Sequence, residues 1–576
     1  MLKLFKYLKP YTIPVIAVLS LVFIQSISDL YLPTLMSDIV NQGITNGDTS
    51  YIMSTGGLMI LVALGGSISA VLASFLSAHA SMGLGEAIRK NLFLHVSKFS
   101  LHEFDKIGTP SLITRNTNDV TQIQNVTVII MRMMIAAPIT AIGGIILAVS
   151  KDAGLSWIIV FVIPILAAII ITVALKGFPL FQSIQKKVDK INHVLREGLT
   201  GIRVIRAFNR EDDEKKRFYD ANFDLMGTSI QVNRIMAALM PLMMLVMNLT
   251  TIAVIWFGSH RVDKGISNVG NMMAFLQYAM QILFSLLMAA AMFIMLPRAQ
   301  ASAERINEVL AIEPEIKDPE NPVTCNDDTR GYIEFQDVSF SYHGAEEPAI
   351  KHISFTAKPG EVTAIIGSTG SGKSTLINLI PRFYDVDSGK ILIDGVDVRE
   401  MSQECLRAKI GFVPQKAVLF TGTIDENIRY GKEDAMDEEI RKAAETAQAL
   451  EFISGFADGF DTMIAQGGTN VSGGQKQRLS IARALLKKAE INVFDDSFSA
   501  LDFKTDAKLR AALRKDTAES TVIIVGQRVA TIMDADRIIV LDEGQIAGMG
   551  THKELYKTCD VYREIVASQL SEEEIA

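Results

Sequence analysis

Residues 362–380 read VTAIIGSTGSGKSTLINLI, an apolar run, a glycine-rich bend and a second apolar pattern at helical spacing. A strand passing through a flexible loop into a helix is the context in which G-x-x-x-x-G-K-[ST] cradles phosphate. Gly367, Gly370 and Gly372 let the backbone curl so that its N–H groups and the helix N-terminus face phosphate oxygens. Ser368, Thr369, Ser371 and Thr375 complete that loop. Lys373 is placed to reach the β- and γ-phosphates, and Ser374 to bind Mg²⁺. The chemistry implied is binding of ATP with Mg²⁺.

A second stretch, INVFDDSFSALD at 491–502, carries Asp495 and Asp496 at the tip of an apolar strand. Asp495 is then the second magnesium carboxylate. Asn492 is an odd polar residue in that strand and points to a slightly compromised element. A third stretch, VSGGQKQRLSIARALL at 471–486, sets Ser472, Gly473 and Gly474 just ahead of a helix. A turn without side-chain bulk, with N–H donors and a hydroxyl, can approach a phosphate closely. Alone it is a weak signal; between the other two motifs it is specific.

The elements that must position these residues divide the chain in two. At 576 residues it is too long for one core. Long uncharged runs fill 1–296, whereas 333–570 reads as a soluble region with charges spread through it. A net charge of −8 leaves no basic excess for nucleic acid, which is not expected as a partner. Cys325, Cys405 and Cys559 are few and scattered, so neither a disulfide framework nor a zinc site is expected.

Six segments near 13–36, 57–79, 127–149, 155–175, 235–258 and 270–296 are long enough to cross a bilayer, which takes roughly 20 apolar residues. The connections after the second and fourth are long and basic, with Arg89, Lys90, Lys186, Lys187 and Arg203 among their cations. The positive-inside rule places those loops and both termini in the cytoplasm. Helical spacing in 181–234 implies that the spans continue as helices beyond the membrane. Within the spans Asp29 either lines a path or packs near the outer interface, and Arg132 is read as an interfacial residue. The methionine-rich last two spans, with Met243, Met280 and Met288, suit an adaptable apolar cavity or ordinary lipid contact. Asn248, Gln277 and Gln281 are the polar groups placed nearest a ligand.

Together these motifs resemble an ATP-binding-cassette exporter half-transporter over nearly the whole chain: a six-span membrane α-helical domain fused to an α/β P-loop nucleotide-binding domain. The resemblance implies a transmembrane domain at 1–300, a linker at 301–332 and the nucleotide-binding domain at 333–576. It implies that Tyr342 stacks on adenine, and that Gln415 in FVPQ links the nucleotide site to the membrane domain and joins Ser374 and Asp495 at the Mg²⁺. It implies that the SALD at 499–502 joins two ATP sites, and that the Ser472–Gln475 turn completes a site built on another chain's Walker loops. SLITRNTNDVTQIQN and LTGIRVIRAFNRE resemble the loops that carry coupling helices.

Three positions depart from the family's pattern. Asp496 stands where the water-polarising glutamate is found, Gln527 where the switch histidine is found, and Gln466 where many relatives have glutamate. A carboxylate displaced by about 1 Å can cost about a hundredfold in rate. Asp496 and Gln527 are therefore read as a degenerate catalytic pair, and the chain as the slow-site subunit of a heterodimeric bacterial multidrug exporter, partnered by a second half-transporter in the cytoplasmic membrane. The expected cargo is a hydrophobic or amphipathic compound, a drug in the leading reading. Lipid or peptide export is the alternative, and a sensing subunit that uses ATP as structural glue is an alternative of another class.

Overall fold

A computed structural model describes residues 1–323 and 330–570, the side chains of residues 290, 291, 293 and 294 excepted. Cys325 lies outside the described residues. The chain forms two compact units, one of Met1–Ser97 with Pro110–Ile312, the other of Lys98–Thr109 with Glu313–Ala576.

In the first unit six helices are long and apolar enough to cross a membrane. They are Leu4–Ile44, Thr49–Val96, Thr109–Lys151, Ser156–Thr200, Glu211–Asp263 and Val269–Ala311. At about 1.5 Å per residue each is far longer than the hydrocarbon core requires. The helices therefore run on past the apolar stretches, as the spacing of 181–234 implied. Only Gly201–Arg210 separates the fourth from the fifth, and it holds the short helix Ile202–Ala207. Pro33, Pro138, Pro164 and Pro241 lie inside helices; a bundle tolerates them because neighbouring groups satisfy the freed carbonyls. Trp157, Phe161 and Trp256 are exposed, as side chains solvated by lipid tails can be. At the short turn after the third helix, Asp152 is buried and accepts from Arg261 Nε and Nη2, both at 3.0 Å.

The second unit begins with the helix Leu101–Ile107, closed by a capping box between Ser100 and Glu103. Residues 111–125, resembling a loop that carries a coupling helix, form the start of the third long helix. His102 makes an edge-to-face contact with His343, ring centroids 5.1 Å apart.

The centre of this unit is a six-stranded sheet in the order Gln545–Gly550, Arg537–Asp542, Val362–Gly367, Thr521–Val525, Ile491–Asp495, Ile410–Val413. All neighbours pair in parallel except Gln545–Gly550. Parallel strands covered on both faces must be apolar throughout, and Thr521–Val525 and Ile491–Asp495 are buried at every position. Asn492 is accounted for: buried in its strand, it donates to the Ala489 carbonyl at 3.3 Å. A four-stranded antiparallel sheet, Ile350–Ala357, Ile333–Phe340, Ser388–Ile393, Val396–Asp397, brings Tyr342 in just after its second strand. Cys559 is free and buried.

Candidate functional site

Strand register places the chemistry. Val525 pairs with both Ile365 and Asp495, and Val413 with Phe494. The loops that follow these four strands therefore emerge side by side at the carboxyl edge of the sheet, where open α/β folds bind ligands. These loops carry the glycine-rich bend, Asp496, Gln527 and Gln415.

Gly370 and Gly372 have φ of +86° and +95°, backbone that side chains disfavour. A Cβ on Gly372 would also stand 2.8 Å from the Ala349 carbonyl. Lys373 begins the helix Lys373–Leu379 and is buried, its Nζ donating to the carbonyls of Gly367 at 2.9 Å and Ser368 at 2.7 Å. Burial lowers the pKa of this ammonium, against the pull of Asp496 and Asp495. Ser374 Oγ donates to Asp495 Oδ1 at 3.3 Å. A hydroxyl beside a carboxylate is a hard-oxygen pair that fits Mg²⁺, which takes few protein ligands and completes its shell with phosphate and water. No group of three or more His, Cys, Asp or Glu that could hold a metal ion is present among the described residues.

Asp496 sits in the left-handed region at φ +45°, which aspartate tolerates better than most residues. Its N–H donates to the Val525 carbonyl at 3.0 Å, and Ser499 Oγ donates to its carbonyl at 2.9 Å. Its carboxylate accepts from Gln415 Nε2 at 3.4 Å. Burial raises the pKa of both carboxyls, and at Asp495 the neighbouring Asp496 charge adds to it. Such a group takes a proton more readily than an exposed carboxylate, as a general base requires.

Tyr342 is 40% exposed, and its hydroxyl lies 3.0 Å from Thr375 Oγ1. That bond ties the aromatic to the phosphate loop and had no sequence signal. Gln527 is exposed. Its carbonyl accepts from Gln569 Nε2 at 2.8 Å, and Gln569 Oε1 accepts from the Val529 N–H at 2.8 Å. Gln569, more than forty residues away in sequence, thus brackets the switch loop from both sides.

The Ser472–Gln475 turn is built separately. Ser472 caps the helix Gly473–Leu486: its Oγ accepts from the Gln475 N–H at 3.3 Å, and its own N–H donates to Gln475 Oε1 at 2.9 Å. A Cβ on Gly474 would lie 3.1 Å from the Ala500 carbonyl, so the turn packs on the SALD loop. A Cβ on Gly473 would meet nothing within 4 Å. Among the described residues no hydrogen bond joins this turn to the Lys373 loop of the same chain.

In the first unit a cavity of about 590 Å³ is lined from three spans. Asp29 and Gln25 come from the first, Arg132 and Met133 from the third, and Gln277, Gln281 and Met288 from the sixth. Arg132 therefore faces a cavity rather than a membrane interface. Asn248 is exposed and is not part of the lining.

Comparison with known proteins agrees with both units. Residues 15–286 match the ABC transporter transmembrane region, and residues 350–499 match the ABC transporter family of ATP-binding domains. An uncharacterized ABC transporter ATP-binding protein of Mycobacterium tuberculosis is 42% identical over 567 residues, 98% of this chain and 97% of that protein. A protein of Vibrio vulnificus named an ATP-dependent lipid A-core flippase is 30% identical, over 97% of this chain and 95% of its own. The solved structure of a bacterial Atm1-family ABC exporter with ATP bound superposes with a TM-score of 0.80 at 25% identity, covering 97% of this chain and 98% of that one.

That likeness overturns the expectation of a degenerate-site subunit in a heterodimeric multidrug exporter that needs a second, different half-transporter. The whole chain follows an Atm1-family exporter. The Walker loop, the strand ending in Asp495 and the SGGQ turn are all formed within this one chain, so an identical copy carries every element that a shared site needs.

Proposed function

The chain belongs to the ABC transporters, with the membrane region and the ATP-binding domain in one polypeptide, and from that premise we propose that it exports a lipid-like amphipathic compound, working as a pair of identical copies. An ABC protein of this build couples ATP to movement of a substrate across a membrane; the nature of the cargo is the proposal. The observation that carries it is the cavity between the first, third and sixth helices. Its volume falls in the range of about 300–1,000 Å³ usual for ligand sites. Polar groups at Gln25, Asp29, Arg132, Gln277 and Gln281 share it with Leu32, Met133, Met280, Phe284 and Met288. Such a lining suits a molecule with a polar head and an apolar body. The likeness to a protein named for flipping lipid A-core supports the same reading.

Pairing of identical copies is supported by the likeness to an Atm1-family exporter and by the open space before Gly473. In such a pair each turn would close the Walker loop of the other copy, and both sites would carry Asp496.

Reconstitution of the purified chain into liposomes with acyl-fluorescent phospholipids tests the cargo. ATP should drive labelled lipid between leaflets, and Lys373→Ala should stop it. Active ATP hydrolysis in bilayers with no lipid moved would overturn the reading.

A further inference from the structure

The cavity holds two charges of opposite sign in membrane-spanning helices, Asp29 from the first and Arg132 from the third. Ionisable groups at such depth are expensive, and in spanning helices they face a cavity or a partner. Among the described residues neither takes part in an ion pair within 4.0 Å, with each other or with any other group. Arg132 Nη1 is met only by a neutral donor–acceptor, Ser74 Oγ at 3.1 Å. Asp29 has the Gln25 amide beside it. Gln281 donates its Nε2 to the Asp29 carbonyl at 3.0 Å, and its Oε1 is buried without a hydrogen-bond partner. A carboxylate and a guanidinium without ion-pair partners and an acceptor without a donor thus line one space whose other walls are mostly apolar, Met133, Met280, Phe284 and Met288 among them, with the neutral polar groups of Gln25, Thr140, Gln277 and Ser285.

A purely anionic ligand would leave Asp29 repelled, a purely cationic one would leave Arg132 repelled, and a neutral one would leave both uncompensated. A ligand bearing both signs matches the pair. Resting on the lipid reading above, we infer that this cavity takes the headgroup of a zwitterionic phospholipid, with the phosphate toward Arg132, the ammonium toward Asp29 and Gln281 Oε1, and the acyl chains along Phe284 and Met288. Bidentate donation to phosphate oxygens is the habit of a guanidinium, and an ammonium supplies the donors that a carboxylate and an amide oxygen lack.

The test uses the full-length chain in liposomes and compares ATP-driven movement of three acyl-fluorescent probes: phosphatidylethanolamine, phosphatidylglycerol and diacylglycerol. The first two share the phosphate and only the first has the amine. The wild-type chain should move phosphatidylethanolamine several-fold faster than phosphatidylglycerol, and diacylglycerol slowest. Asp29→Asn should bring the ratio of the two phospholipids to about one, Asp29→Glu should preserve it, and Arg132→Gln should bring both phospholipids down to the diacylglycerol rate. Because each readout is a ratio within one preparation, a variant that folds poorly does not imitate the result, and the wild-type preference is a test by itself. Equal rates for the three probes in the wild-type chain, a preference for phosphatidylglycerol, or an Asp29→Asn chain that keeps the wild-type ratio would overturn the headgroup assignment while lipid export stands. If no probe moves under ATP, lipid export itself falls.

Discussion

Gln415 Nε2 lies 3.4 Å from Asp496 Oδ2, so the amide after the Ile410–Val413 strand and the carboxylate after the Ile491–Asp495 strand meet at one point of the sheet edge. Under the proposed pairing of identical chains, Asp496 would be the carboxylate that polarises water at both sites. Asp496→Asn should therefore lower ATP turnover by about 10²–10⁴-fold, the usual worth of a general base, with nucleotide binding retained. Asp496→Glu should raise turnover above wild type, since it carries the carboxylate outward by about one bond length, and displacements near 1 Å weigh about a hundredfold. Phosphate release measured beside binding of a fluorescent nucleotide decides it; wild-type turnover in Asp496→Asn would refute the assignment.

The pH profile follows from the same geometry. Burial raises the Asp496 pKa and the Gln415 hydrogen bond holds it down. The base works ionised, so turnover should fall as pH drops through a value above the ordinary aspartate pKa of about 3.9. Gln415→Ala removes a donor that favours the charged form, and should move this acid limb to higher pH. A limb that stays in place in Gln415→Ala would break the link between the two residues.

Much of this site was legible because its signals are local. The Gly367–Thr375 loop, the Asp495 strand and the Ser472 cap each occupy a short stretch whose backbone chemistry is written in its own residues, and six apolar runs mark the spans. What was illegible depends on distant pairings. Nothing near Tyr342 announces Thr375, and nothing near Gln527 announces Gln569. Arg132 looked interfacial because the apolar run begins just after it, yet the helix starts far earlier and carries it to the cavity. Asn492 looked like damage until its bond to the Ala489 carbonyl was visible. The partner was misjudged because two altered side chains do not reveal the whole-chain likeness to an Atm1-family exporter.

Gln569 holds the switch loop by the Gln527 carbonyl and the Val529 N–H. It touches no nucleotide-loop residue through its side-chain hydrogen bonds, so it acts as a positioning residue. Gln569→Ala should reduce kcat by about tenfold, the order expected for loosening one or two bonds of ~1 kcal/mol each, with KM for ATP little changed. Gln569→Glu keeps the acceptor for Val529 but loses the donor to Gln527, and should fall between. A matched rise in KM with unchanged kcat would show that the clamp serves binding rather than the switch.

Pairing of two identical copies makes the sharpest demand. Gly473 fronts open space in its own chain, so Gly473→Asp should fold normally; across the pair it would set a charge and a side chain against the γ-phosphate of the other copy. Loss of one preorganised donor contact of this kind is worth about 10²–10³-fold, and ATP turnover should collapse. Lys373→Ala should collapse it too, by emptying the phosphate loop of its cation. In a mixed pair, however, the Walker loop of the Gly473→Asp copy faces the intact turn of the Lys373→Ala copy, and one whole site is restored. Co-expressed and co-purified with different tags, the two inactive chains should regain single-turnover hydrolysis that neither shows alone. If the mixture stays as inactive as its parents while the tags co-purify, each chain does not complete the site of an identical partner.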